Sequence, residues 1–185
     1  RFAMWLSSVG FSNDMQAVVY DRQGANYCGR LWWMLKWAGH DAVAVLDGGL
    51  QAWQAAGGAV ASGDEPAHFQ SHFTLHTPLR RLVTASEVLQ NLQQPTQTVV
   101  DARATPRYRG ETEPLDPVAG HIPGALNRPF GLNLGSDGRF KPAALLRAEF
   151  DELLAGRNPD TVVHQCGSGV SAIPNLLAME VAGLG

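Results

Sequence analysis

Val162-Val163-His164-Gln165-Cys166-Gly167-Ser168-Gly169-Val170-Ser171-Ala172 is the stretch that decides the fold. Two β-branched residues run into a cysteine, two glycines and then an apolar pattern of helical spacing, so the order is strand, tight loop, helix. The thiol therefore sits at the carboxyl end of a strand, where open α/β sheets bind ligands. It also sits at a helix N-terminus, whose unpaired backbone N–H groups favour an anion. Cysteines in such surroundings have pKa values of roughly 3.5 to 7.5, against about 8.5 for the free side chain, so the nucleophilic thiolate is favoured. Glycines at 167 and 169 let the loop curl round the sulfur with N–H groups inward, as an anion nest.

Outward from this stretch the chain alternates strands and helices. A helix is expected over Phe2 to Gly10, a strand at Gln16 to Tyr20, a buried helix over Asn26 to Ala38 and an apolar strand at Val43 to Leu46. Asp47-Gly48-Gly49 turns the chain into a short helix ending at Ala56-Gly57-Gly58. The pattern then dissolves into a linker with one extended piece at His72 to His76. Thr84 and Glu87 form a capping box, a strand follows at Thr98 to Asp101, and a helical piece around Thr105 to Arg109 leads into a Pro-rich loop. Gly120-His121-Ile122-Pro123-Gly124-Ala125 is a turn delivering the chain to Leu126-Asn127. Pro142 to Leu154 is amphipathic, with Leu145, Leu146, Phe150, Leu153 and Leu154 on one stripe.

The halves repeat. A shift of 144 residues sets Val18-Val19-Tyr20 on Val162-Val163-His164 and Ala38-Gly39 on Ala182-Gly183, and it sets Arg22 where the second copy has Cys166. The fold class expected is α/β, two domains of parallel sheet flanked by helices. The boundaries are residues 1–60, a linker at 61–81, and residues 82–185. The second copy's strand and Gly-His-Ile-Pro-Gly-Ala turn have no counterpart in the first, and Val45 to Trp53 has none in the second. Both domains are thus expected to be incomplete here, within a whole of about 280 residues.

A hydrophobic content of 45% is enough for a core, and a net charge of −3 with no basic run longer than Arg80-Arg81 argues against a nucleic-acid partner. No apolar run approaches the roughly 20 residues of a membrane helix. Two cysteines make no disulfide framework and fit a reducing compartment, so the cytoplasm is the expected location, although Arg1 is not a methionine and a targeting signal is not addressed by this sequence.

Cys166-Gly-Ser-Gly-Val-Ser-Ala resembles the active-site loop of the tandem-domain rhodanese and 3-mercaptopyruvate sulfurtransferase family, closer to the mercaptopyruvate branch than to the thiosulfate branch with its basic loop residues. The resemblance implies two rhodanese-like domains and attack of a Cys166 thiolate on a small-molecule sulfur donor. The resulting persulfide passes its outer sulfur to a thiol or cyanide, with no cofactor. Gly167, Gly169, Val170 and Ser171 belong to the loop that would bind the sulfur. Ser168 and Ser171 either donate hydroxyl hydrogen bonds to it or cap the helix that follows. Arg107, in Arg103-Ala-Thr-Pro-Arg107-Tyr-Arg109-Gly, resembles the family's arginine for the substrate anion; the plainer reading is a solvated side chain paired with a carboxylate such as Glu111. Arg103 reads as a brace. Asp101 and His121 match family signatures and read as structural, satisfying buried backbone groups. His164 faces the side of Cys166 if strand alternation continues, or is packed in the core. Cys28, among Tyr27, Leu31 and Trp32, reads as inert, and the histidines show no metal-ligand spacing, so no metal is implied.

Two rivals stand beside this reading. A cysteine phosphatase needs an arginine six residues after its cysteine, and position 172 is alanine. A non-catalytic rhodanese-like binding module fits the first copy, which lacks a loop thiol, and a fragment of the enzyme could be inactive. The sequence does not address the oligomeric state.

Overall fold

A computed structural model describes residues 1–66 and 68–185. Helix α1 (Phe2–Ser8) leads to strand β1 (Ala17–Val19), helix α2 (Cys28–Trp37), strand β2 (Val43–Val45) and helix α3 (Gly49–Ala55). After the connecting segment come α4 (Ala85–Gln90), β3 (Thr98–Asp101), α5 (Thr105–Arg109), β4 (Leu126–Asn127), α6 (Ala143–Leu154), β5 (Val162–Gln165) and α7 (Ile173–Val181). Every pairing between these strands is parallel: β1 lies beside β2, and the second sheet runs β4-β3-β5 with Val99 opposite Val163 and Asp101 opposite Gln165. Parallel strands need covered faces, which is why Val99 and Val100 are fully apolar and buried rather than alternating.

Helix α7 joins the two halves. Ile173 and Leu177 pack into the core built by Leu6, Val19, Trp32, Trp33 and Leu35, while Ala178, Met179 and Ala182 pack against Leu146, Phe150 and Leu154 of α6. A helix with apolar contacts on opposite faces must be buried, and α7 is. Its close approach to α2 is made possible by Gly29, where a Cβ would lie 3.2 Å from Ile173 Cγ2. Asn175, with no exposed surface, anchors α7 to the turn after β4. It donates to the Arg128 carbonyl at 2.8 Å and accepts from Asn133 at 2.6 Å, so each buried polar group here has a partner.

The Thr84–Glu87 capping box is formed in both directions. The extended piece at His72 to His76 joins no sheet: Ser71 N–H donates to Ser7 O and His76 N–H to Ala38 O, so the segment is pinned to helix ends, where no ladder can propagate. One expectation fails. Leu145 falls off the buried stripe of α6 and is 46% exposed, because only Leu146, Phe150 and Leu154 keep the i, i+4 spacing that faces α7. Among the described residues no helix is long and apolar enough to cross a membrane.

Candidate functional site

Strand β5 ends at Gln165, whose carbonyl accepts from Ala102 N–H at 2.9 Å, and Cys166 is the first residue past it. The thiol is half-buried. Gly169 turns its N–H onto Cys166 Sγ at 3.1 Å, and it does so at φ +73°, a conformation that side-chain-bearing residues disfavour. Val170 accepts from Ile173 N–H at 3.1 Å as the chain enters α7, where Pro174 lies in the first turn, a place with no N–H to satisfy. Gly167 and Ser168 are exposed at the rim. Neither Ser168 nor Ser171 caps α7, whose N-cap is Ala172 with no side-chain hydrogen bond. The capping alternative for the two serines is therefore wrong, because the N-cap position falls one residue after Ser171 and four after Ser168.

The sulfur faces an open cleft of ≈ 310 Å³ whose wall includes Arg103, Asp116, Gly120, His121 and Gln165. Arg103 spans the wall: it donates to the Asp101 carboxylate at 2.7 Å and to the Gly120 carbonyl at 2.6 Å, and it reaches Glu113 at 3.4 Å. Asp101 is fully buried, and its carboxylate also takes Arg103 N–H at 2.9 Å. Arg107 stands behind this wall. Its guanidinium binds Glu113 at 2.7 Å and Asp116 at 3.1 Å, while Glu111 pairs instead with Arg109. Hydrogen bonding from Arg107 holds the Glu113 carboxyl at about 2. The structure thus brings Cys166, Gly167 and Arg103 to one cleft and leaves Arg107 engaged by two carboxylates just outside it.

His121 is exposed, and its partner is the backbone of half-buried Tyr108. Its ring stacks on Tyr108 with centroids 3.8 Å apart, and Nδ1 lies 2.8 Å from the Tyr108 carbonyl. A carbonyl can only accept, so Nδ1 donates in this contact. His164 does not share the cleft. Alternation stops at Gln165, and the imidazole is buried with Nε2 3.2 Å from Met179 Sδ and Nδ1 unpartnered, which pushes its pKa down to about 4. A second, larger cavity of ≈ 610 Å³ runs past His164 along the free edge of β5 and contains no part of the thiol loop.

Cys28 opens α2 and is 8% exposed; burial, followed by the nearby Asp21 charge, pushes its thiol up to about 12. Among the described residues no group of three or more His, Cys, Asp or Glu side chains could hold a metal ion. Sequence reasoning missed Arg30 on α2, which donates to the Gly169 carbonyl at 3.3 Å from 139 positions away, and nothing in its local sequence marks it. It also missed Asp21, whose carboxylate accepts four backbone N–H groups of the first loop; the Asp21-Arg22-Gln23-Gly24 turn composition was the available signal.

A rhodanese-like domain model matches residues 2–56 and 84–184. The chain is 46% identical over 99% of its length to a Pseudomonas aeruginosa protein named "Probable 3-mercaptopyruvate sulfurtransferase", and 38% identical over 98% to the thiosulfate sulfurtransferase of Bos taurus. It spans 64% and 62% of those proteins' lengths. It also superposes on the crystal structure of SseA from Escherichia coli, described among 3-mercaptopyruvate sulfotransferases, with a TM-score of 0.83 at 31% identity; the match covers 99% of this chain and 68% of SseA.

Proposed function

The chain belongs to the rhodanese-like family, and from that premise we propose that it transfers sulfur through a persulfide on Cys166. The observation that carries this reading is a half-buried Sγ held by the Gly169 N–H at 3.1 Å, at the mouth of a cleft with a guanidinium on its wall. The Cys166 thiolate attacks the sulfur of the donor. With 3-mercaptopyruvate, the new S–S bond forms as the donor C–S bond breaks, and the electron pair leaves on carbon as the enolate of pyruvate, which takes up a proton. An acceptor thiolate or cyanide then attacks the outer sulfur; the S–S bond breaks and its electron pair restores the Cys166 thiolate. The Gly169 N–H stabilises the anionic sulfur at the start and end of this cycle.

The donor is a small anion, and 3-mercaptopyruvate is favoured over thiosulfate because Gly167-Ser168-Gly169 carries no cation for a second negative charge. Arg107 takes the donor carboxylate by exchanging its solvent-facing contact with Asp116, which is 44% exposed. Ser168 and Ser171, whose hydroxyls are not committed to capping, donate to the bound sulfur or carboxylate. Residues 82–185 form the catalytic unit, residues 61–81 a linker, and residues 1–60 a non-catalytic unit with Arg22 in place of the thiol. Two free cysteines fit a reducing compartment, and the cytoplasm is the location we assign.

Treating the full-length protein with either donor should add one sulfur atom to the Cys166 peptide and none to the Cys28 peptide by mass spectrometry. An unmodified Cys166 after exposure to both donors would overturn the reading. Relative kcat/KM for the two donors decides between them, with a thiosulfate preference counting against the assignment of 3-mercaptopyruvate.

A further inference from the structure

We propose that Arg30, on a helix of the first unit, is a positioning residue for sulfur transfer in the second, fixing the sulfur-binding conformation of the Cys166 loop from across the junction. This rests on the sulfur-transfer reading above. Gly169 is the hinge of the argument. Its N–H holds Cys166 Sγ at 3.1 Å, and its own carbonyl accepts from Arg30 Nη1 at 3.3 Å. The residue sits at φ +73°, a conformation glycine enters and leaves freely, so a fixed N–H direction needs something besides its own backbone preference. A guanidinium on the carbonyl supplies that constraint, since a hydrogen bond from a charged donor is stronger than a neutral one.

The placement of Arg30 is itself built in. Gly29, the preceding residue, lets α2 lie directly on Ile173 and Leu177 of α7, which brings position 30 to the loop at the N-terminus of α7. The guanidinium lies 5.2 Å from the ring centroid of Trp33 one turn on, and Trp33 is in the core. A Cβ on Gly169 would lie 3.3 Å from Arg30 Nη1, so the cation fills the space on the outer side of the loop. Among the described residues no carboxylate pairs with Arg30, and its charge therefore faces the loop uncompensated by an ion pair.

The test uses Arg30→Met and Arg30→Lys in the full-length protein, with single-turnover persulfide formation, donor KM and the rate of Cys166 alkylation by iodoacetamide at neutral pH. Losing one charge-assisted hydrogen bond should slow persulfide formation and alkylation by about tenfold in Arg30→Met. Donor KM should move by no more than about twofold, because the donor is not what Arg30 touches. Arg30→Lys should recover most of the rate, since an ammonium can still donate to the carbonyl. Unchanged rates in Arg30→Met would overturn the proposal, and so would an equal loss in both variants with a matching rise in KM, which would mark a general disturbance of the junction. If wild-type Cys166 acquires no sulfur, the activity reading fails by itself, while the alkylation comparison still decides the role of Arg30.

Discussion

His164 gives the fold an acid-sensitive point whose size is set by the structure. The imidazole is buried against Met179 with one nitrogen unpartnered, and burial pushes its pKa from the ordinary 6.5 down to about 4. The unfolded chain takes up a proton at this residue as pH falls through 6.5, whereas the folded chain does not until about 4. Protons therefore favour the unfolded state across that window, and the stability lost is about 3 kcal/mol at 1.36 kcal/mol per pH unit. Glu113 and Glu87 act in a lower window: hydrogen bonds from Arg107 and from Thr84 hold each at about 2, so their stabilisation is complete above about 4.5 and disappears only as pH falls toward 2. Urea unfolding of full-length wild type and His164→Met at pH 7 and pH 4.5 separates these effects. Wild type should lose about 2 to 3 kcal/mol more than the variant between the two conditions, a difference in midpoint of about 1 M urea. Equal losses in the two proteins would refute the claim that a neutral buried imidazole sets this window.

Three other outcomes are expected. Cys28→Ser should keep sulfur-transfer activity within about twofold, and alkylation at pH 8 should label Cys166 but not Cys28, whose thiol is held near 12; peptide mass spectrometry reads both. Asp116→Asn should lower the donor KM by about two- to fivefold, the range of an exposed ion pair that competes for Arg107, with kcat little changed in steady-state assays. Asn175→Leu should cost about 2 to 4 kcal/mol in a thermal or urea melt, because it leaves the Asn133 amide and the Arg128 carbonyl buried without partners.

What the sequence revealed and what it hid divide along physical lines. The Val-Val strands, the Cys-Gly-Ser-Gly loop and the Thr84–Glu87 cap are local: each depends on residues within a few positions, and each stands where its pattern places it. The partners of Arg107 were not legible, since Glu111, Glu113 and Asp116 all lie within reach and only the path of the Pro-rich loop selects the last two. Of the two placements open to His164, the packed one holds, because β5 ends at Gln165 and carries no alternation on to Cys166. Arg30 and Gly169 meet only after the two halves of the chain pack together, and Asn133 and Asn175 only after α7 packs on the turn after β4; no periodicity in any of these segments encodes the meeting. The His72 to His76 stretch has strand-like composition, but its hydrogen bonds go to the ends of α1 and α2.

The two loops related by the 144-residue shift present one electrostatic problem, a set of backbone N–H groups that need an acceptor, and they solve it differently. In the first, Asp21 supplies the acceptor from within: its carboxylate takes the N–H groups of Gln23, Ala25, Tyr27 and Cys28 at 2.9 to 3.1 Å. Burial pushes that carboxyl up, yet the four hydrogen bonds outweigh it and the pKa falls below the ordinary carboxylate value. The nest is therefore filled by a permanent internal anion. In the second, the corresponding position is Gln165, neutral and tied into the sheet, so the loop N–H of Gly169 is left for the sulfur of Cys166. Placing a thiol at position 22 alone would thus not create a second reactive centre, because the amides that would hold its thiolate are already engaged. What separates a sulfur-binding loop from an inert one here is the presence of the cysteine together with the absence of a carboxylate beside it.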